Sequence, residues 1–241
     1  MYAIKCTKCD YEVPVYLLTR IPRRCPRCGS TLKPKYIAEV EVYFDGLCEP
    51  VNGYPYGIAT YGFVIYDNRS REERIRIHKG SGVVGAGCLG NDVTNNVAEY
   101  TALIKALEWL VESGLTDKPV VVKGDSQLTI RQLNGIYGVR APRIIPLYER
   151  VVELVKGFKR IRFVWVSREY NEEADSLSRK AYYEFCNKHR DLVKKYYAKY
   201  LITEKQKRYI LFLAKKKGVK VEVSEFMSKR EASKLIQKLL V

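Results

Sequence analysis

Alternating apolar and polar positions predict three long strands in the first half of the chain. Residues 36–44 (YIAEVEVYF) and 56–66 (YGIATYGFVIY) follow this alternation and are rich in β-branched and aromatic side chains. Residues 72–81 continue the pattern as a third strand. Because these strands follow each other through short connections, the sequence predicts an antiparallel meander.

The pattern then changes to a helical period. Between Asn95 and Ser113, the apolar residues Leu103, Ala106 and Leu110 lie on one stripe, and a step of four residues backwards from this stripe reaches Glu99. Glu99 is therefore predicted to face the sheet from the first turns of a helix. An ionised carboxylate in that position needs a cation or a hydrogen-bond partner.

The apolar run at 119–123 (PVVVK) is typical of a strand buried on both faces. Asp125 follows this strand, and active sites favour the carboxyl ends of strands that are joined by crossover helices. Further along, Asn171 is predicted to cap a helix that carries Asp175 one turn inside. The other predicted elements are helices at 126–133 and 144–158 and a strand at 160–166.

The element order βββ-α-β-α-α-β-α predicts an α/β fold with a mixed sheet flanked by helices. A chain of 241 residues has room for one main domain with appendages. The predicted division is a ribbon at 1–35, a main domain at 36–190 and a helical extension at 191–241. No window of about 18 apolar residues and no leader pattern is present, so we expect a cytoplasmic protein without a membrane partner.

The net charge of +16 is concentrated at the two ends of the chain. Residues 1–35 contain 8 basic and 2 acidic side chains, residues 187–241 contain 16 and 5, and the centre is close to neutral with 19 and 20. A neutral core between cationic arms is typical of an enzyme that acts on a polyanion such as nucleic acid. Simple solubility, or a thermophilic source with many ion pairs, is the alternative.

Four cysteines near the N-terminus have the spacing of a metal site. Cys6 and Cys9 form one Cys-x2-Cys pair, and Cys25 and Cys28 form a second pair after 15 residues. Two disulfides or a redox pair are the alternatives, but intracellular disulfides are rare outside hyperthermophiles. We therefore expect one structural Zn2+, because no histidine or carboxylate suggests an open catalytic position.

The last 50 residues are predicted to form a helical hairpin. Thr203 with Gln206, and Ser228 with Glu231, are both capping boxes, and each precedes a short amphipathic pattern. The three consecutive lysines at 215–217 would allow this hairpin to hold a nucleic-acid duplex. Docking on the main domain or recruitment of a protein partner are equally open.

Four carboxylates lie at strand ends or in first helical turns, in four short motifs: YFDG with Asp45, TNNVAEY with Glu99, KGDSQ with Asp125, and NEEADSLS with Asp175. Carboxylates gathered in one place repel each other, and a divalent cation compensates that repulsion. The four motifs resemble the acidic motifs of type 1 ribonuclease H, in the order and spacing of that family. The resemblance covers roughly residues 36–190 and implies the ribonuclease H-like fold, a mixed five-stranded sheet flanked by helices.

The resemblance implies an endoribonuclease that cuts the RNA strand of RNA/DNA hybrids and leaves 5′-phosphate and 3′-hydroxyl ends. The implied cofactors are two Mg2+ ions, for which Mn2+ can substitute, and carboxylate oxygens suit these hard cations. Asp45 would bridge the two ions, and Glu99 and Asp125 would share the side that activates water. Asp175 would complete the other side.

The family pattern also implies substrate contacts. These would come from Gly46, Thr94, Asn95, Asn96 and Ser126. In particular, the two asparagines match a minor-groove contact, and Thr94 matches a contact to a DNA phosphate. RNA is distinguished from DNA by its 2′-hydroxyl groups. Thr94 or Asn95 could alternatively serve as a helix cap.

The chain departs from the family pattern in the loop before the last acidic helix. Many members have a histidine there, whereas this chain has the short segment SREYN with Arg168, as archaeal and some actinobacterial and plant-like members do. An arginine cannot act as a base near neutral pH, so its expected catalytic role is to grip phosphate or to help product leave. A surface arginine paired with Glu169 or Glu172 is the alternative.

A second departure is the absence of a basic protrusion between the two middle helices, which are joined only by residues 135–143. Substrate grip must then come from elsewhere, and the basic ends are the candidates. Two other functions remain open at this point: a broader nuclease that also cuts double-stranded RNA, and a non-catalytic zinc protein that binds nucleic acid.

Overall fold

The computed structural model describes residues 3–6, 8–9, 11–14, 24–30, 38–50, 56–68 and 74–240. The chain divides into two compact units, Met1–Ala38 and Glu39–Val241. In the first unit, strands β1 (Ala3–Lys5) and β2 (Glu12–Pro14) pair antiparallel. Much of the predicted ribbon, and the first two residues of the predicted strand at 36–44, lie outside the described residues.

The second unit is built on a mixed five-stranded sheet. Its strands are β3 (Val40–Glu49), β4 (Ile58–Asp67), β5 (Ile75–Ala86), β6 (Pro119–Gly124) and β7 (Arg160–Trp165). The spatial order is β5-β4-β3-β6-β7, in which β3, β4 and β5 form the antiparallel meander and β6 and β7 run parallel to β3. The predicted fold class and the mixed sheet are confirmed.

The predicted end of the first strand was wrong. Strand β3 continues to Glu49, because its pairing with β4 extends from Val40 and Asp67 to Glu49 and Ile58. Asp45 therefore lies inside the strand, opposite Gly62, rather than after its end. Hydrogen bonds from β4 fix the backbone of Asp45, so its carboxylate is held by regular sheet structure.

Seven α-helices lie in the described part of the second unit. They are α1 (Asn95–Glu112), α2 (Gln127–Leu133), α3 (Ile145–Val155), α4 (Glu172–Lys188), α5 (Arg190–Tyr197), α6 (Glu204–Lys217) and α7 (Lys229–Leu240). Helix α5 was not predicted, because only Val193 and Tyr197 are buried in a segment rich in charged residues. Tertiary packing of these two side chains stabilises a helix that is too short to form alone.

Two helices cover opposite faces of the sheet near β3. The predicted stripe of α1 is confirmed, since Leu103, Ala106 and Leu110 are fully buried against Val42 and Phe44 of β3. Residues of β3 at the alternate positions face α4: Tyr43 packs with Ala174. The two helices that carry acidic motifs therefore approach the same strand from either side.

The C-terminal helices pack on the main domain. Phe226, which precedes α7, is fully buried in a cluster with Leu47, Phe185 and Tyr197, and its carbonyl oxygen accepts a 3.0 Å hydrogen bond from the Tyr182 hydroxyl. Helices α6 and α7 share a smaller apolar cluster that includes Ile210, Leu213, Met227, Ala232 and Leu239. Among the residues that the structure describes, no helix has the length and apolar character needed to cross a membrane.

The two predicted capping boxes have different outcomes. The box of Thr203 and Gln206 is confirmed, with both reciprocal bonds present. At α7, the Ser228 hydroxyl accepts a 3.1 Å bond from the Glu231 backbone nitrogen, but the Glu231 carboxylate binds Arg179 at 2.9 Å and Tyr183 at 3.0 Å. The ionic partner on α4 competes successfully for this carboxylate, because a charged donor binds it more strongly than a backbone N–H.

The substitution Phe226→Ala is expected to destabilise the protein by about 3–5 kcal/mol, since it removes a fully buried ring and leaves a cavity. Urea denaturation followed by circular dichroism measures this change. The matched control is Phe212→Ala on α6, whose ring is 60% exposed and whose loss should change stability by no more than about 0.5 kcal/mol. Equal stability of the two variants would show that the C-terminal helices do not depend on this anchor.

Candidate active site

Three of the predicted carboxylates converge. One oxygen each from Asp45, Glu99 and Asp125 lies within 4.8 Å of the other two. Strands β3 and β6 are adjacent and parallel, and the register pairs Phe44 with Gly124, so the next residue of each is an aspartate at the same level of the sheet. The sheet thus supplies two carboxylates side by side, and α1 supplies the third.

Gly46 allows α1 to approach β3 closely enough to deliver Glu99. A Cβ atom at Gly46 would lie 2.1 Å from the backbone nitrogen of Glu99, a distance that no side chain can adopt. Only glycine fits where two backbones approach so closely. The family resemblance predicted Gly46 as a substrate contact; in the fold its role is to bring strand and helix together, and it also lines the site cavity.

Asp175 lies in the first turn of α4, beside this group and not within it. Arg168 donates a hydrogen bond to Asp175 Oδ1, and Arg179 Nη2 lies 3.3 Å from the same oxygen. The Ser178 hydroxyl donates to Asp45 Oδ2 at 2.5 Å and lies 2.9 Å from the main-chain oxygen of Asp175. All four carboxylates line one cavity of about 750 Å3.

Burial and mutual repulsion make ionisation of the inner carboxylates unfavourable. Burial, together with the charges of Asp175 and Asp125, raises the pKa of Asp45 to about 7 despite the hydrogen bond from Ser178. Burial and the charge of Asp45 raise the pKa of Glu99 well above its usual range. Asp175 behaves oppositely: burial alone would raise its pKa, but Arg179 and Arg168 outweigh burial and lower it.

The donor set fits a hard divalent cation. Glu99 is 4% exposed, and its Oε2 atom has no hydrogen-bond partner among the described residues. A buried oxygen without a partner is costly unless a ligand satisfies it. Three converging carboxylates, one with an unsatisfied buried oxygen, are suited to Mg2+ or Mn2+, which prefer oxygen ligands.

Two hydrogen-bond donors at the site were not predicted from the sequence. Asn171 was predicted as a helix cap, but its side chain makes no capping bond; its amide nitrogen donates to Phe44 O at 2.8 Å and to Asp125 Oδ1 at 2.9 Å. Ser178, the second donor, fixes Asp45. The signal for Ser178 and Arg179 was their spacing of three and four residues from Asp175, which places them on one helix face.

Some of the residues predicted to contact substrate cap helices, and some line the active-site cavity. Thr94 caps α1 and Ser126 caps α2, each accepting a 3.3 Å bond from a backbone N–H. Asn95 Oδ1 accepts a 3.2 Å hydrogen bond from the Cys48 backbone nitrogen, and Asn95 Nδ2 lies 3.5 Å from Glu99 Oε1. Asn95 and Ser126 line the cavity, whereas Thr94 and Asn96 lie outside its lining.

Arg168 lines the cavity and is bound to a catalytic candidate. Its partner is Asp175, and not the neighbouring Glu169 or Glu172 of the alternative interpretation. Glu169 instead accepts a 2.7 Å hydrogen bond from Ser167. The Arg168 side chain remains 55% exposed, so its guanidinium is accessible from the cavity.

The first unit contains a second candidate metal centre. The Sγ atoms of Cys6, Cys9, Cys25 and Cys28 lie within 4.8 Å of one another, and all four thiols are free. Hydrogen bonds, first from the Ser30 hydroxyl and then from the Lys8 backbone, lower the pKa of Cys6 to about 6. Four converging sulfurs are compatible with zinc.

Comparison with known proteins identifies the family. A family model described as reverse transcriptase-like matches residues 57–181, which is just over half of the chain. Ribonuclease HI of Halobacterium salinarum is 34% identical over 155 residues, covering 63% of this chain and 68% of that protein. The chain belongs to the type 1 ribonuclease H family. The family-model match at 57–181 includes Glu99, Asp125 and Asp175.

Two further relatives extend this finding. A bifunctional protein of Mycobacterium tuberculosis is 40% identical over 88 residues, which cover 36% of this chain and 24% of that protein. This chain thus spans about a quarter of the length of its mycobacterial relative. The solved structure of LC11-RNase H1 in complex with an RNA/DNA hybrid is 34% identical, with a TM-score of 0.51, and covers 59% of this chain and 95% of that one.

The raised pKa of Asp45 predicts that metal-free protein loses stability as the pH rises. The folded state holds this proton more tightly than the unfolded state, so the stabilisation is complete below the usual pKa of 3.8 and is lost as the pH rises through about 7. Mg2+ replaces protons at the site, so the gain in melting temperature on adding Mg2+ should be larger at about pH 8 than at about pH 5.

Thermal melts with EDTA or Mg2+ across this pH range measure both effects. Asp45→Asn removes one of the titrating groups, and its profile should be flatter than that of the wild type. Parallel profiles for the two proteins would show that Asp45 does not titrate in this range.

Proposed function

We propose that this protein is an endoribonuclease that hydrolyses the RNA strand of RNA/DNA hybrids. The observation that carries the proposal is the convergence of Asp45, Glu99 and Asp125, with Asp175 beside them, in one cavity. The naming of a relative as ribonuclease HI and the solution of LC11-RNase H1 with a hybrid support the choice of substrate.

The four carboxylates would hold two Mg2+ ions, with Mn2+ as a substitute. Bound divalent ions supply activation of water and stabilisation of the charge that develops on the leaving oxygen. The unsatisfied Glu99 Oε2 and the raised pKa values of Asp45 and Glu99 support this assignment. In our proposal the products carry 5′-phosphate and 3′-hydroxyl ends.

Other side chains position the carboxylates. Asn171 fixes one oxygen of Asp125 and Ser178 fixes one oxygen of Asp45, so each keeps another oxygen for an ion. Arg179 and Arg168 lower the pKa of Asp175 and so favour its ionised form. We assign Arg168, the more exposed of the two arginines, to the substrate phosphate, which a planar guanidinium binds well.

Substrate selection is assigned to the edge of the cavity near the start of α1. Gly46, Asn95 and Ser126 line it with the carboxylates, and Asn96 and Thr94 follow on the adjacent surface. Hydrogen bonds to 2′-hydroxyl groups from this region would distinguish the RNA strand.

Asp125→Asn is expected to reduce hybrid cleavage by roughly 10²–10³ or more, the range for loss of one preorganised charge in an active site. Binding of the hybrid should remain, because the fold and the basic surfaces are unchanged. The matched control is Asp117→Asn, the same chemical change at an exposed residue that pairs with Lys159 at 2.7 Å. A labelled-hybrid cleavage assay and a fluorescence anisotropy titration measure the two properties.

Normal cleavage by Asp125→Asn would overturn the proposal. Hybrid binding without cleavage by the wild-type protein, independent of Mg2+, would instead favour a non-catalytic nucleic-acid-binding protein. Labelled double-stranded RNA and double-stranded DNA in parallel reactions test the broader nuclease, for which Arg168 in place of a histidine is the motivating feature.

We also propose that the first unit binds one structural Zn2+ through Cys6, Cys9, Cys25 and Cys28. The close approach of the four sulfurs supports this. The Sγ atoms of Cys6 and Cys28 are 3.5 Å apart, and those of Cys9 and Cys25 are 3.6 Å apart. The spacing of two Cys-x2-Cys pairs is typical of such sites.

Elemental analysis of the purified protein is expected to give about one zinc per chain, as a single four-cysteine site requires. Cys25→Ser should lose this zinc, whereas Cys88→Ser, at a free cysteine of the second unit, should retain it. Zinc retained to the same extent by both variants would contradict the assignment.

A further inference from the structure

Helix α7 presents a row of three cations to the active-site cavity. Arg230, Lys234 and Lys238 are spaced four residues apart, so they lie on one face of the helix. All three line the cavity that Asp45, Glu99, Asp125 and Asp175 also line. We call Arg230, Lys234 and Lys238 the α7 row.

No member of the α7 row forms a close ion pair among the described residues, although the Glu49 carboxylate, which lines the same cavity, interacts with Arg230 and Lys234 over a longer distance. By contrast, Arg168 and Arg179 in the same cavity are both paired. Burial, followed by the charges of Arg230 and Arg168, lowers the pKa of Lys234. One carboxylate near three cations leaves a net positive charge, which attracts an anion.

The row is held firmly in place. Glu231, between Arg230 and Lys234, is bound to Arg179 at 2.9 Å and to the Tyr183 hydroxyl at 3.0 Å. Arg179 in turn binds Asp175, so a continuous chain of ion pairs joins α7 to a candidate metal ligand. Phe226 anchors the start of the helix in the core.

The connection between α2 and α3 is short. It contains two cations, Arg140 and Arg143, and Arg143 is bound to Asp92 at 2.5 Å. Little positive charge is therefore available there to hold a polyanion. The α7 row supplies it from a different part of the chain, directly next to the carboxylates.

We propose that the α7 row binds phosphates of the strand that is cut, on the side of the scissile phosphate nearest α7. This rests on the proposed function, because the carboxylates would receive the scissile phosphate and the same cavity continues to the row. The phosphates that neighbour the scissile phosphate in that strand are the anions that would reach the α7 row. The C-terminal helices are thus part of the substrate-binding site.

The test is the triple variant R230Q/K234Q/K238Q in the full chain. Its matched control is K156Q/K159Q/R160Q, which also removes one arginine and two lysines, from exposed residues at the end of α3 and the start of β7, at the end of the sheet opposite Asp125. Hybrid binding is measured by anisotropy in an Asp125→Asn background at several salt concentrations. We expect about 10- to 100-fold weaker binding and a salt slope lower by roughly 2–3, at about 0.9 per phosphate contact, for the α7 variant only.

The cleavage-active triple variant should show a raised KM with little change in kcat, because the carboxylates are intact. The charge-conserving variant R230K/K234R/K238R should retain binding. Circular dichroism melts of all variants confirm that each is folded.

Neutral methylphosphonate linkages in one strand of the hybrid show which strand the α7 row contacts. Placed in the RNA strand beside the cut, they should weaken binding by the wild type but have little further effect on the triple variant. Placed in the DNA strand, they should weaken both proteins equally.

Affinity and salt slope equal to the control would overturn the proposal and indicate that the row serves another anion, such as an acidic protein segment. If methylphosphonates in the DNA strand weakened binding by the wild type but had little further effect on the triple variant, the assignment to the RNA strand would be wrong. If the wild type neither binds nor cuts the hybrid, the proposed function fails, and this is visible in the wild-type measurements alone.

Discussion

Repulsion between three clustered carboxylates is the constraint around which the rest of the site is arranged. Asp45, Glu99 and Asp125 have oxygens within 4.8 Å of one another, and the first two are almost completely buried. Without a cation, such a group is tolerated by binding protons, which is why the pKa values of Asp45 and Glu99 are raised. Hydrogen bonds from Ser178 and Asn171 orient the group but cannot neutralise it. The fold therefore holds the carboxylates in a state that a divalent cation relieves.

The fourth carboxylate connects this site to the C-terminal helices. Asp175 is neutralised by Arg168 and Arg179, and Arg179 is shared with Glu231 of α7. Removal of one member of a partly buried ion-pair chain leaves an uncompensated charge, so the members depend on each other. The position of α7 and the ionisation of Asp175 are thus linked through one guanidinium group, while Phe226 supplies the apolar part of the same contact.

The sequence predicted the parts of the site that depend on local periodicity. The stripe of α1 predicted that Glu99 faces the sheet, and the apolar run before Asp125 predicted its place after a buried strand. Partners that join distant segments were not predictable: Ser178 and Asp45 are 133 residues apart, and Asn171 and Phe44 are 127 apart. For the same reason, Glu231 fitted a capping box equally well until its ionic partner on α4 was known.

The net charge of the C-terminal segment did not show which of its basic residues face the active-site cavity. Sixteen basic residues lie between 187 and 241, and most of them are compatible with a solvated helix surface. Spacing of four residues put three on one face of α7, but only the docking of that helix turns the face towards the carboxylates. Cations and carboxylates in one cavity have separate ligands, because the carboxylates suit metal ions and the cations suit phosphate. A polyanion held by metal ions at one wall and by the α7 row at the other would be fixed at two points, which is what a positioned phosphodiester requires.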